Sequence, residues 1–340
     1  MPNLYKILFI LTMMTGTLIS ISSCSWMGMW LGLEINLLSI IPLFSKLKNT
    51  FSSESALKYF IIQALASMIF LFGMIMMMYS FKFNTNFLHN TIITTIMNSA
   101  LLTKMGAAPF HFWFPEVMEG LSWINCLILL TWQKIAPMVL LMYNTTSTLF
   151  LSIIIILSMM ISSMLALNQT SLRKILTYSS INHIGWMLSS IMMMETIWFY
   201  YFIIYSITTL NIILILNLYN INQFKQIFPL LENNFYMKLL FFLNFFSLGG
   251  LPPFIGFFPK WLIIQALIQN KFFILPLMMI MMTLIMLYVY TRLMFSTLMM
   301  NTNSMNFTKN SFKFNKPTLM FLNFFVILSL ILCTMLFNWI

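Results

Sequence analysis

Aspartate is missing altogether from the 340 residues, arginine occurs only at Arg173 and Arg292, and charged side chains of every kind make up 7%. A soluble domain carries about 25% charged residues, so this scarcity excludes one of any size. The longest polar stretches, around residues 46–56, 220–237 and 299–317, are loop-length and carry no periodic core pattern. Cysteine is also scarce. Cys24, Cys126 and Cys333 are odd in number and far apart, which excludes a disulfide framework or a metal knuckle and leaves them as small apolar packers. A glycine-rich dinucleotide fingerprint, a phosphate-binding loop and a cysteine cluster for an iron–sulfur centre are all missing. The three histidines, His89, His111 and His183, do not supply the two facing pairs of a haem-binding membrane subunit. The chain is therefore expected to hold no redox cofactor and no metal.

What is present is apolar: 61% hydrophobic residues and a mean hydropathy of +0.93 define an all-α polytopic membrane protein. Phenylalanine (35) and methionine (34) are so abundant that an AT-rich gene is implied. One methionine in ten is reached more easily where ATA is read as Met, so an organelle-encoded inner-membrane protein is expected. The apolar run from Ile7 to Ile21, ahead of Ser22, Ser23 and Cys24, resembles a signal peptide. It is also long enough for a slightly short span and is read as one.

Apolar runs of about 17 to 25 residues mark helices that can cross a bilayer. They fall near 7–22, 26–45, 57–79, 91–114, 122–143, 148–167, 175–194, 196–219, 238–269, 272–295 and 318–339, making eleven spans in a single membrane domain over 1–340. Alternation then puts twelve of the Lys and Arg residues on the side of the N-terminus and only Lys82 and Lys271 on the other. Basic loops stay on the cytoplasmic or matrix side. The N-terminus is expected in the matrix and Ile340 on the intermembrane side. This asymmetry accounts for the net charge of +11 without a nucleic-acid partner and suits anionic lipid, cardiolipin included.

Glu34, Lys104, Lys134 and Lys260 lie inside these spans, where an ionisable side chain costs about 2.5 to 3.5 kcal/mol even on an insertion scale. Burial favours the neutral form of an amine and a nearby carboxylate favours its ammonium, so such groups act as proton switches set by their neighbours. Two spans are also interrupted. LLTKMGAAPFHFWFPE (101–116) and FSLGGLPPFIGFFPKW (246–261) place Gly and Pro mid-membrane, each with one of the lysines. They are the fourth spans of segments 1–5 and of segments 6–10, which implies two inverted five-helix repeats, 7–143 and 148–295, plus an extra helix at 318–339. Paired interrupted helices in inverted halves point to a transport site near the midplane.

The stretches WLGLEINLLSIIPL (30–43), KMGAAPFHFWFPEVMEG (104–120), TWQKIAP (131–137), YSSINHIGWM (178–187) and GGLPPFIGFFPKW (249–261) carry a resemblance that covers essentially the whole chain. It resembles the antiporter-like membrane-arm subunits of respiratory complex I, NADH:ubiquinone oxidoreductase, in their animal mitochondrial form. The resemblance implies a proton-translocating subunit with a hydrated half-channel in each repeat, partnered by other membrane-arm subunits, including neighbouring antiporter-like ones. It makes Glu34 and Lys104 the coupled acid and base of the first half, Lys134 the central relay, His183 an intermediate carrier and Lys260 the outlet.

Each site residue has a plainer alternative. Lys260, beside a break, is placed to cap freed carbonyls, and a lone histidine such as His183 inside an apolar helix is often a helix-contact hydrogen bonder. His111 is as well placed to bond loosened backbone as to carry protons, and His89 is interfacial. Glu116 and Glu119 either face solvent or draw protons to an entrance. A freestanding cation/proton antiporter is the rival function. It would want several midplane carboxylates, and Glu34 stands alone.

Overall fold

The computed structural model describes residues 4–45, 49–82, 87–145, 147–227 and 235–299. The expected span 318–339 and Cys333 lie outside them, as does the side chain of His89. Among the described residues the ordered elements are helices and one isolated bridge, Ser171 with Gln223. In chain order they are α1 (Leu4–Ser22), α2 (Trp26–Phe44), α3 (Thr50–Lys82), α4 (Phe87–Met105), α5 (Trp113–Gly120), α6 (Trp123–Leu130), α7 (Trp132–Met142), α8 (Thr148–Ala166), α9 (Leu172–Met193), α10 (Glu195–Tyr219), α11 (Phe235–Gly249), α12 (Phe257–Gln269) and α13 (Ile274–Met299). A short 3-10 turn occupies Phe224–Gln226. Seven stretches among the described residues are long and apolar enough to cross a membrane, α6 with α7 counting as one. The chain is a multi-pass membrane protein. It divides into two compact units, Met1–Ser158 and Met159–Ile340.

In the first unit α1 and α2 lie backbone to backbone. A Cβ on Gly32 would sit 2.8 Å from the Gly16 carbonyl oxygen, and one on Gly16 would sit 2.9 Å from the Asn36 nitrogen. Without a hydrophobic drive between helices in lipid, such small residues let dispersion hold the pair, and the contact fixes the helix that carries Glu34. Ser25 caps α2 by accepting from the Gly28 amide at 3.2 Å. α3 runs for 33 residues along α2, α4 and α5.

α4 stops at Met105, where Gly106 adopts φ +75°, a left-handed conformation that favours glycine. Unpaired backbone at this depth is tolerated only when protein or water satisfies it, and here protein does. The Trp113 indole donates to the Thr103 carbonyl at 3.1 Å, the Gln63 amide donates to the Lys104 carbonyl at 3.2 Å, and the Ala107 amide turns back to Leu102. The span expected as continuous over 122–143 is interrupted as well. Thr131 separates α6 from α7, its amide and hydroxyl both directed at the Leu127 carbonyl, while the Lys134 amide takes the Thr131 carbonyl in a tighter turn.

In the second unit α9 is enclosed on all sides, buried without interruption from Ile175 to Ile191. Its hydroxyls survive burial by bonding their own helix three residues back, as at Thr177, Ser179, Ser180, Ser189 and Ser190. α10, α12 and α13 pack around it. The second interrupted helix matches its expectation over 238–269: α11 ends at Gly249, Gly250 has φ +78°, and α12 begins at Phe257. The Gly250 and Leu251 amides fold back onto the Phe246 carbonyl, and the Ser247 carbonyl rests against Gly256, where no Cβ could stand.

Candidate functional site

Every lysine expected inside the membrane is buried, Lys104 and Lys260 at 7% exposure and Lys134 at 1%. None reaches bulk water by lying along a helix surface, the usual escape of such side chains.

The first unit gathers Glu34, Lys104 and Lys134. Lys104 lies in the last turn of α4 and lines a cavity of about 10 Å³, the smallest space that takes a single water. Polar groups from α2, α3 and α7 share it: Asn36, Tyr59, Gln63 and Gln133. They form a row that sequence reading did not single out. Tyr59 donates to Gln133 Oε1 at 3.3 Å, and Gln133 Nε2 donates to Asn36 Oδ1 at 3.0 Å. The signal was present in the chain as three amide residues inside apolar spans. Lys134, one residue after Gln133, places its Nζ 6.0 Å from the centroid of the Phe114 ring, within the range at which a protonated amine is attracted to the ring face.

Glu34 is only half-buried, on the edge of the buried face of α2, beside exposed Ile35. No ion pair joins it to Lys104. One carboxylate oxygen, Glu34 Oε1, is enclosed with no hydrogen-bond partner among the described residues.

The ion pairs among the described residues centre on Lys58, 3.1 Å from both Glu54 and Glu116. Glu116 thus ties α5 to α3 at an exposed position. His111 Nδ1 lies 3.3 Å from the Pro109 carbonyl, one of the two alternatives left open for it, and its Nε2 is enclosed without a hydrogen bond among the described residues.

The second unit holds Lys260 and His183. Lys260 extends back from α12 and donates to the carbonyls of Leu248 at 3.1 Å and Gly249 at 2.8 Å, the negative end of α11's dipole. This is the geometry of the plainer alternative for Lys260, a cap on freed carbonyls, and it leaves the amine buried beside the break. The amine also lies 5.8 Å from the ring centre of Trp186 on α9. His183 Nδ1 meets the Tyr201 hydroxyl at 2.7 Å and packs against the Tyr205 ring, its centroid 4.9 Å away. A second cavity of about 10 Å³ is lined by His183, Tyr201, Tyr205, Thr208, Ser247 and Leu248, among others. Lys104 lines the first of these water-sized spaces and His183 the second, which is walled mostly by apolar groups; a titratable side chain so placed is able to accept, hold and release a proton.

The family model described as NADH:quinone oxidoreductase/Mrp antiporter, TM, matches residues 23–286, and the chain belongs to that family of membrane subunits. Among its relatives, "NADH-ubiquinone oxidoreductase chain 2" of Anopheles gambiae is 52% identical over 294 residues, 86% of this chain and 85% of the relative. The protein of the same name from Aedes aegypti is 49% identical over 340 residues, 99% of both. The fold is similar to that of a chain in a structure of respiratory complex I from Thermus thermophilus with bound aureothin. The TM-score is 0.85 at 21% identity, covering 96% of this chain and 78% of that one.

Proposed function

We propose that the chain is a proton-translocating membrane subunit of NADH:ubiquinone oxidoreductase, moving protons while the redox reaction runs elsewhere in the assembly. It carries no redox cofactor of its own. The observation that supports this most directly is the burial of three amines, Lys104, Lys134 and Lys260, each at or beside a helix interruption. A structural role alone gives little reason to strand so many cations in an apolar protein.

In this reading Glu34, Lys104 and Lys134 form the first half of the relay, and His183 and Lys260 form the second. A change of charge at Glu34 is felt at Lys104, which hands a proton towards Lys134. The absence of an ion pair suits this, since a contact would have to break before each transfer. The chain crosses the inner mitochondrial membrane eleven times as two inverted five-helix repeats and a final helix, with the N-terminus in the matrix and the C-terminus on the intermembrane side. Its partners are the other membrane-arm subunits and the surrounding lipid.

Replacing Lys134 by methionine keeps the length and apolar stem while removing the titrating group. Assembled complex carrying Lys134→Met is expected to oxidise NADH with fewer protons moved per electron pair. An undiminished proton-to-electron ratio in that variant sinks the relay.

A further inference from the structure

The two described histidine rings are held in different ways. His111 Nδ1 faces a backbone carbonyl, that of Pro109. A carbonyl can only accept, so that nitrogen must carry hydrogen for the contact to be a bond. His183 Nδ1 faces a hydroxyl, that of Tyr201, at 2.7 Å, and both residues are buried. A hydroxyl both donates and accepts.

We propose that Tyr201 is the positioning residue of His183, a hydroxyl partner that keeps the imidazole bonded in every proton state it passes through. The inference rests on the reading of His183 as a proton carrier. When the neutral ring has its hydrogen on Nε2, the tyrosine O–H donates to Nδ1. When the hydrogen is on Nδ1, or the ring is an imidazolium, that N–H donates to the tyrosine oxygen. The change requires only rotation about the C–O bond, and no heavy atom moves.

The surroundings favour this use of the hydroxyl. Tyr205 packs on the face of the ring, and the Tyr201 hydroxyl is the group that meets its Nδ1. The cavity beside the pair brings in Thr208 from α10, together with Ser247 and Leu248 from the end of α11. Leu248 is also the residue whose carbonyl receives Lys260. Leu248 is thus the residue shared by the cavity beside the Tyr201–His183 pair and by the Lys260 cap within the second unit. A histidine held by a carbonyl at this position would release its partner in one tautomer, and an unpaired polar group in an apolar interior is costly.

The test uses assembled complex carrying Tyr201→Phe, His183→Gln, and both together, with proton-to-electron ratio as the readout. Residues that act as a unit give effects that do not add. The expectation is that Tyr201→Phe lowers the ratio as His183→Gln does and that the double variant is no worse than His183→Gln alone. A normal ratio in Tyr201→Phe with a lowered one in His183→Gln overturns the proposal and leaves the carrier role standing, as does simple addition of the two losses. A normal ratio in His183→Gln overturns the carrier role and the proposal with it. Infrared difference spectra between resting and turning-over complex provide a readout that packing alone does not move. An imidazole band and a tyrosine C–O band should change together, and both changes should vanish in Tyr201→Phe. If that variant fails to assemble, the native complex decides, since an imidazole change unaccompanied by a tyrosine change overturns the proposal.

Discussion

Gln133 spends its amide on two helices at once, accepting from Tyr59 on α3 and donating to Asn36 on α2. Gln133→Leu would strand both partners inside the first unit, at about 1 to 3 kcal/mol for each unsatisfied group. The variant complex should melt at a lower temperature, and adding Tyr59→Phe should recover part of the loss because one stranded group is then removed. A melting curve indistinguishable from the parent would show that the row holds nothing together. The buried lysines could be read from the chain because an amine in an apolar run is conspicuous by its cost. The amide row could not, because Asn, Gln and Tyr are ordinary in spans, and only packing decides that Asn36, Tyr59, Gln63 and Gln133 share one cavity. The same holds for Tyr201, one of twelve tyrosines until α9 and α10 come together.

At the level of elements, the two glycines flanking the α11–α12 interruption should behave differently. A Cβ on Gly256 would collide with the Ser247 carbonyl, a backbone group with nowhere to go, whereas one on Gly249 would meet Tyr290 Cδ2 at 3.5 Å in ordinary contact. Gly256→Ala should therefore abolish assembled complex on a native gel while Gly249→Ala assembles at close to parental levels. Equal assembly of the two would contradict the close approach. Gly and Pro announced the interruptions after α4 and α11 because those residues cannot continue a helix in the usual way. The interruption at Thr131 gave no such warning. A threonine hydroxyl competes for a carbonyl of its own helix in many unbroken spans, so only the coordinates separate α6 from α7.

For the molecule as a whole, the orientation read from Lys and Arg can be checked with a native thiol. Cys24, expected as a small apolar packer, is instead exposed at the α1–α2 turn, and it falls on the intermembrane side if the N-terminus is in the matrix. A membrane-impermeant maleimide should modify it in mitoplasts and spare it in inside-out particles, with buried Cys126 unmodified in both. Labelling with the reverse sidedness would invert the topology. The length of α3 has a consequence of the same scale. Its 33 residues measure about 50 Å against a hydrocarbon layer of about 30 Å, so it works as a ruler standing in the bilayer. At one end Lys58 clasps Glu116, and Gly120 presses on the Phe51 carbonyl, fastening α5 to it. Thinner lipid must make this rod lean. A rod that leans carries the fastened α5 with it, beyond the break that follows Lys104, so acyl-chain length is expected to change how the broken helix sits in the membrane.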